Sequence, residues 1–254
     1  MSSQFLLSLI VGIFVGGAAG YLGTLMLSKR MALATGPLGH LTLPGIALAL
    51  IYGFDISLGA FPFVILGIIF IWLFELKTKL PMEALTAVVF ASGVAIAFLF
   101  LPIGQAEAAL VGDISKVSFG EAVISIVLTI FIFSLTAKIH PKMVLINISE
   151  DLAKSQGIDV KNINFVYLIL IAVIVALGVK IVGGLLTVAL TAIPACAASN
   201  LSRNVFQYTF GATIIGISSA SLGICIFELI GFPAGPLIIL VNAAVFLISI
   251  IFKR

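Results

Sequence analysis

The chain has 254 residues, of which 62% are hydrophobic and only 9% are charged, with a formal net charge of +3. A water-soluble domain is about 45–50% apolar and about 25% charged, so this composition excludes one soluble core and points to lipid as the solvent. It also excludes a membrane β-barrel, whose strands alternate apolar and polar residues, because the apolar runs here are continuous.

A helix crossing the roughly 30 Å hydrocarbon layer needs about 20 residues. Nine apolar segments follow one another, at 5–28, 32–53, 59–76, 84–103, 118–137, 163–181, 183–200, 205–227 and 233–252. They predict an all-α polytopic membrane protein with about nine transmembrane helices (eight to ten), forming a single domain over 1–254. The start, Met1-Ser2-Ser3-Gln4, lacks the positive n-region of a cleavable signal, so the first run reads as the first span.

The second segment is crowded with Gly36, Pro37, Gly39, Pro44 and Gly45, and His40 sits inside the break. Such residues interrupt the helical ladder, and irregular backbone at membrane depth is tolerated only where protein or a water-filled cavity covers it. A kinked, closely packed helix and a discontinuous helix lining a path both fit this pattern. An ionisable residue in a span marks a site more often than scaffolding, which favours the path. A neutral imidazole is a common ligand for transition metals, and open carbonyls after Gly36-Pro37-Leu38-Gly39 would add oxygen donors. A histidine hydrogen-bonded within the bundle is the other reading of His40.

Further along, Glu83 and Glu121 lie near segment ends, and Glu228 near the outer end of the eighth segment. Lys180 closes the sixth, where its stem can snorkel to the interface. Gly183, Gly184 and Pro194 mark the seventh. Cys196 and Cys225 lie in apolar stretches and read as packing residues. Two connections are long enough for structure of their own, Gly104–Val117 and Lys138–Asn162, and His140 falls in the second with no role assigned.

Within that second connection, Ser149 to Gly157 reads as one short helix with both ends specified. Ser149 is a good N-cap, Glu150 and Asp151 occupy the first turn where the helix dipole favours acids, Lys154 lies near the end, and Gly157 suits the C′ position. Leu152, Ser155 and Gln156 share a face. A helix this short is unstable alone, so the bundle or a partner protein must hold it.

Short cytoplasmic loops collect Lys and Arg. With nine spans and a cytoplasmic C-terminus, Lys29, Arg30, Lys77, Lys79, Lys138, Lys142, Lys154, Lys161, Arg203, Lys253 and Arg254 all lie inside, and only Lys116 and Lys180 outside. The expected setting is therefore a multi-pass protein of the cell membrane with its C-terminus in the cytoplasm and its N-terminus outside. No GxxxxGK[ST] phosphate loop, GxSxG elbow or dense metal-ligand cluster is present, and the scattered basic residues do not suggest a nucleic-acid surface.

Several stretches together resemble the permease subunits of the zinc/manganese/iron ATP-binding-cassette importers, the ABC-3 family. Arg30-Met31-Ala32-Leu33 with Leu38-Gly39-His40-Leu41-Thr42-Leu43-Pro44-Gly45-Ile46-Ala47 is similar to that family's R-x-A-F-x-G-D-A-L-S-H-x-x-L-P-G-x-A. Glu83-Ala84-Leu85 with Val89-Phe90-Ala91-Ser92-Gly93 resembles its third stretch. Ser149 to Gly157 resembles D-P-E-L-A-R-A-L-G, and Val179-Lys180-Ile181-Val182-Gly183-Gly184-Leu185-Leu186 with Ile193-Pro194-Ala195 resembles V-K-x-V-G-x-L-L and I-P-A. Phe232-Pro233-Ala234-Gly235-Pro236 resembles P-[SA]-G-P before the last helix. Each motif is weak alone, but five in order over nearly the whole chain are specific.

The resemblance implies a type II ABC importer-like permease bundle without an ATPase site of its own, hence no enzyme. It implies a homodimer with a path at its interface, two cytoplasmic ABC ATPase subunits below, and an extracytoplasmic metal-binding protein delivering Zn²⁺, Mn²⁺ or Fe²⁺ as cargo, with no permanently bound cofactor. It makes the short helix the ATPase-coupling element, with Ser149, Glu150, Asp151, Leu152, Ala153 and Gly157 as its residues. It implies a path past Gly36, Pro37, Gly39, His40, Pro44 and Pro194. The family's metal-contacting pair is the Asp and His of G-D-A-L-S-H. His40 matches the His, whereas Gly36 stands where the Asp would be. A carboxylate is the hard, charged ligand for a dication, so its loss leaves three options: a softer ion such as Zn²⁺, a complexed metal, or a path without selectivity. A permease for a metal chelate or small organic nutrient is one alternative, and an ATP-independent secondary transporter or channel the other.

Overall fold

The computed structural model describes residues 3–29, 35–54, 56–78, 80–100, 114, 117–183 and 187–253, with the side chains of 35–37, 50, 56, 57, 100, 180 and 181 left aside. Arg30, Lys79, Lys116, Gly184, Arg254 and most of Gly104–Val117 therefore lie outside the described residues, as does the Lys180 side chain. The described residues form eleven helices in chain order: α1 Ser3–Ser28, α2 Thr35–His40, α3 Leu43–Tyr52, α4 Ile56–Thr78, α5 Met82–Phe100, α6 Phe119–Ile148, α7 Glu150–Ser155, α8 Val160–Val182, α9 Thr187–Leu201, α10 Val205–Ile230 and α11 Ala234–Ile251.

Seven of these, α1, α4, α5, α6, α8, α10 and α11, are long and apolar enough to cross a membrane, and α9 is a shorter apolar helix. The expected single span at 32–53 is thus broken into α2 and α3 around Leu41 and Thr42. Pro44 explains where the second piece begins: it occupies the first turn of α3, where a missing N–H costs nothing. The expected seventh span is described from Thr187 and is helix to Leu201.

The largest departure is at α6. Its 30 residues run straight through Pro141, so the stretch Lys138–Ile148 is helix and not connection, and His140 is not in a loop. At about 1.5 Å per residue the helix is roughly 45 Å long, more than the hydrocarbon layer needs. Pro141 leaves the Ala137 carbonyl without its helical donor, which is tolerated because Ala137 is exposed. Ile139, Met143 and Ile146 all face the core, the spacing of one helical face. His140 stacks on Tyr21, with centroids 5.9 Å apart. At the other end Ser118 and Glu121 form a capping box: the Ser118 N–H donates to the Glu121 carboxylate at 2.7 Å and the Glu121 N–H to the Ser118 hydroxyl at 3.4 Å.

α1 is the hub of the bundle. It packs against α6, α8, α9 and α10, and it and α8 are buried over most of their length. Against α10 it runs antiparallel, with Gly12 beside Ile224, Gly16 beside Gly216 and Gly20 beside Ala212. A Cβ on Gly16 would stand 2.6 Å from the Gly216 carbonyl oxygen, so only glycine permits this approach. Without a hydrophobic drive between helices in lipid, such close backbone packing is what holds them together.

The outer helices turn large apolar side chains outward, among them Phe70, Leu99, Phe131 and Leu240. At one end of the bundle, Lys29 beyond α1 meets Asn164 of α8, and Asn200 of α9 meets Ser249 of α11 at 3.0 Å. The antiparallel α10 begins at the same end, so Lys29, Lys161, Arg203 and Lys253 gather there.

Candidate functional site

His40 is the last residue of α2. Leu38, Gly39, Leu41 and Thr42 around it are buried, and the imidazole itself is half-buried. The turn after it is tight. The Leu41 N–H donates to the Leu38 carbonyl at 3.2 Å, the Thr42 N–H to the Gly39 carbonyl at 3.3 Å, and the Thr42 hydroxyl to the same Gly39 oxygen at 2.6 Å. The open carbonyls expected before His40 are therefore occupied at Leu38 and Gly39. The carbonyl left short is that of His40, because Pro44, four residues on, has no N–H to offer it.

The imidazole makes no hydrogen bond among the described residues. It lies against the Phe90 ring of α5, centroids 5.4 Å apart and planes tilted by 49°. No group of three or more His, Cys, Asp and Glu side chains converges on a metal site among the described residues. Gly36 and Pro37 belong to the first turn of α2, and what surrounds them lies outside the described residues. Pro44 is buried and lines an apolar cleft with Leu41, Phe63, Gly67, Phe70 and Val89. Pro194 is buried in the middle of α9 against Gly20 of α1. The fold sets α9 beside α2, so Gly39, His40 and Pro44 share one buried turn and Pro194 stands on an adjoining helix.

The second candidate element is α7. The Leu152 N–H donates to the Ser149 hydroxyl at 3.2 Å, which makes Ser149 the N-cap. Glu150 and Asp151 fill the first turn, and Lys154 pairs with Glu150 at 3.5 Å. The helix ends in a Schellman motif: the Ile158 N–H donates to the Ala153 carbonyl and the Gly157 N–H to the Lys154 carbonyl, both at 3.0 Å. Gly157 takes φ +76°, the left-handed conformation that favours glycine. Of the residues between the caps only Ala153 is buried, at 0% exposure, and it packs into the main core. Leu152 is 45% exposed and Ile148 73%. The helix is thus pinned to the bundle by one small side chain while its acidic and apolar outer face is free.

Sequence reasoning missed two features near these sites. One is the polar junction at Lys29, which counted only as a topology charge. Its ammonium donates to the Asn164 side-chain oxygen at 2.6 Å and lies 5.8 Å from the centroid of the Tyr167 ring. Burial pushes its pKa down from the ordinary lysine range, while Glu75 and Glu150 pull it back up. The other is the run of glycines along α1, whose four-residue spacing at Gly12, Gly16 and Gly20 is a legible packing signal.

The comparisons with known proteins agree with this architecture. The manganese transport system membrane protein MntC of Listeria monocytogenes is 22% identical over 249 residues, covering 96% of this chain and 89% of its own. The high-affinity zinc uptake system membrane protein ZnuB of Buchnera aphidicola is 26% identical over 262 residues, covering 98% of both. Among solved structures, PsaBC from Streptococcus pneumoniae in complex with Fab matches with a TM-score of 0.83 and 25% identity, over 98% of this chain and 91% of that one. The ABC 3 transport family matches residues 2–253, and with that end-to-end match over a bundle of apolar helices the chain belongs to the ABC 3 transport family.

Proposed function

We propose that this chain is the membrane permease subunit of an ATP-binding-cassette importer that carries a divalent metal ion into the cytoplasm, with Mn²⁺ and Zn²⁺, the ions named for its relatives, ahead of Fe²⁺. The observation that carries this reading is the match to permease relatives along nearly the whole chain. In this reading the path crosses the membrane nine times, with α2–α3 as one interrupted crossing and α9 as a short one. The N-terminus is outside, and the basic end of the bundle faces the cytoplasm in accord with the positive-inside rule.

The chain supplies the route and not the fuel. A separate ATPase docks on α7, a second copy of the permease completes the path, and an extracytoplasmic binding protein delivers the ion. The exposed acidic and apolar face of α7, held by two good caps, suits a docking handle that must keep its shape while it is pushed. At the site, His40 offers a neutral nitrogen where the backbone is already interrupted. Gly36 adds no carboxylate, so the ion meets few strong ligands and can leave again, as a permeant ion must. Alternating access then exposes this turn to one side at a time.

The test is uptake by the permease reconstituted with its ATPase in liposomes, offering Mn²⁺, Zn²⁺ and Fe²⁺ in turn. ATP-dependent accumulation of a free ion supports the proposal. Accumulation without ATP would make the protein a secondary transporter or channel, and uptake only of complexed metal would make it a chelate permease.

A further inference from the structure

A histidine that ligates a metal is ordinarily held in one orientation by a hydrogen bond donated from its second ring nitrogen. His40 makes no such bond among the described residues, so packing has to orient the ring. The imidazole rests on Phe90 of α5, centroids 5.4 Å apart. The next residue, Leu41, is 4% exposed and is seated more firmly. Its side chain forks into two methyl ends, and each end lies against a different glycine. A Cβ on Gly93 of α5 would stand 2.5 Å from Leu41 Cδ2, and one on Gly67 of α4 would meet Leu41 Cδ1 closer still. The two methyls reach the backbones of two helices because neither glycine carries a side chain.

Phe90 and Gly93 are three residues apart, neighbours on one face of α5, so a single turn of that helix meets both His40 and Leu41. Beyond the turn, Gly45 of α3 packs on Gly59 of α4, where a Cβ on either would run into the carbonyl oxygen of the other. Gly45 thus anchors α3 on α4, while Leu41 anchors the turn itself across α4 and α5, directly beside the imidazole. In lipid such contacts hold through close packing. We propose that Leu41 is a positioning residue for the transported ion: its forked end, seated in the notches at Gly67 and Gly93, fixes the His40 imidazole against Phe90. The inference rests on His40 lying on the path of the ion.

The experiment compares Leu41→Ala, Leu41→Met and His40→Ala, and each leucine variant combined with His40→Ala, in the reconstituted permease–ATPase complex. The readouts are the half-saturation concentration for uptake of Mn²⁺ and of Zn²⁺ and the melting temperature of the purified permease. Leu41→Ala empties both notches and should raise the half-saturation concentration about tenfold, the scale on which metal sites respond to loss of a group that orients a ligand. Leu41→Met keeps the volume, a swap that cores tolerate, but it has one end instead of two and fills one notch. It should fold and show a smaller rise. Neither leucine variant should weaken uptake further in the His40→Ala background, because a residue that acts through the imidazole has nothing left to act on there.

A half-saturation concentration that stays unchanged in Leu41→Ala, or in Leu41→Met if the alanine variant does not fold, while His40→Ala raises it, overturns the proposal. Losses that add up in the combined variants also overturn it, since Leu41 would then act on the bundle at large and not on His40. Failure of the underlying reading looks different: His40→Ala by itself would leave the half-saturation concentration unchanged for both ions, and the role of Leu41 would fall with it.

Discussion

His40 and Gly36 lie four residues apart in one interrupted helix, and their chemistry decides what the proposed path can hold. An imidazole suits Zn²⁺ and other borderline ions, while a carboxylate suits harder ones. Replacing His40 by Ala should weaken the apparent affinity for the transported ion by about tenfold or more, the scale on which metal sites respond to loss of a nearby partner. Uptake curves in proteoliposomes measure this, and an unchanged half-saturation concentration removes His40 from the path. Gly36→Asp should shift preference toward Mn²⁺ over Zn²⁺, read by competition between the two ions. The histidine was legible because an ionisable residue inside an apolar run is conspicuous. Its neighbourhood was not: the carbonyls of Leu38 and Gly39 looked open from the glycine and proline pattern, and only the fold showed that the Thr42 hydroxyl and two backbone N–H groups claim them.

Helix α7 was readable nearly atom by atom, because caps are local chemistry. Ser149 and Gly157 do what their side chains and backbone freedom dictate. Which residue faces the bundle was not local, and it changes the experiment. Leu152 is exposed, so Leu152→Glu should reduce ATPase co-purification by about tenfold, the equivalent of about 1.4 kcal/mol, with the melting temperature unchanged. Ala153 is buried, so Ala153→Glu places an unpaired charge in the core, which is strongly destabilising, and should lower the melting temperature instead. Opposite behaviour of the two variants would reverse the assignment of faces. α1 gives a third prediction at this scale. Gly16→Val forces side-chain atoms into the backbone of α10 and should cost about 1–3 kcal/mol as overpacking does. A thermal melt in detergent checks it, and an unshifted midpoint would show that the two helices do not meet there.

At the scale of the whole molecule the prediction is topological. Single cysteines placed at Lys154 and Arg203 should react with an impermeant thiol reagent only from the cytoplasmic side, and cysteines at Ser118 and Gly231 only from outside. A pattern with Lys154 and Ser118 on the same side would break the proposed nine-crossing path. The native Cys196 and Cys225 are half-buried within helices, so a background variant without them gives a clean reading.

The sequence by itself determined that the chain is a helical bundle in lipid, where most of its helices lie, and that one short capped helix stands apart from them. These follow from hydrophobic run length, charge placement and capping, all properties of neighbouring residues. Tertiary structure decided the rest. It made α6 pass through Pro141, because the face of Ile139, Met143 and Ile146 finds a core to bury in and the carbonyl Pro141 leaves short is exposed. It put the glycines of α1 against α10, and it brought Lys29 to Asn164 across 135 positions of sequence. Contacts between distant segments depend on which helices pack together, and that is a property of the bundle as a whole rather than of any stretch of the chain.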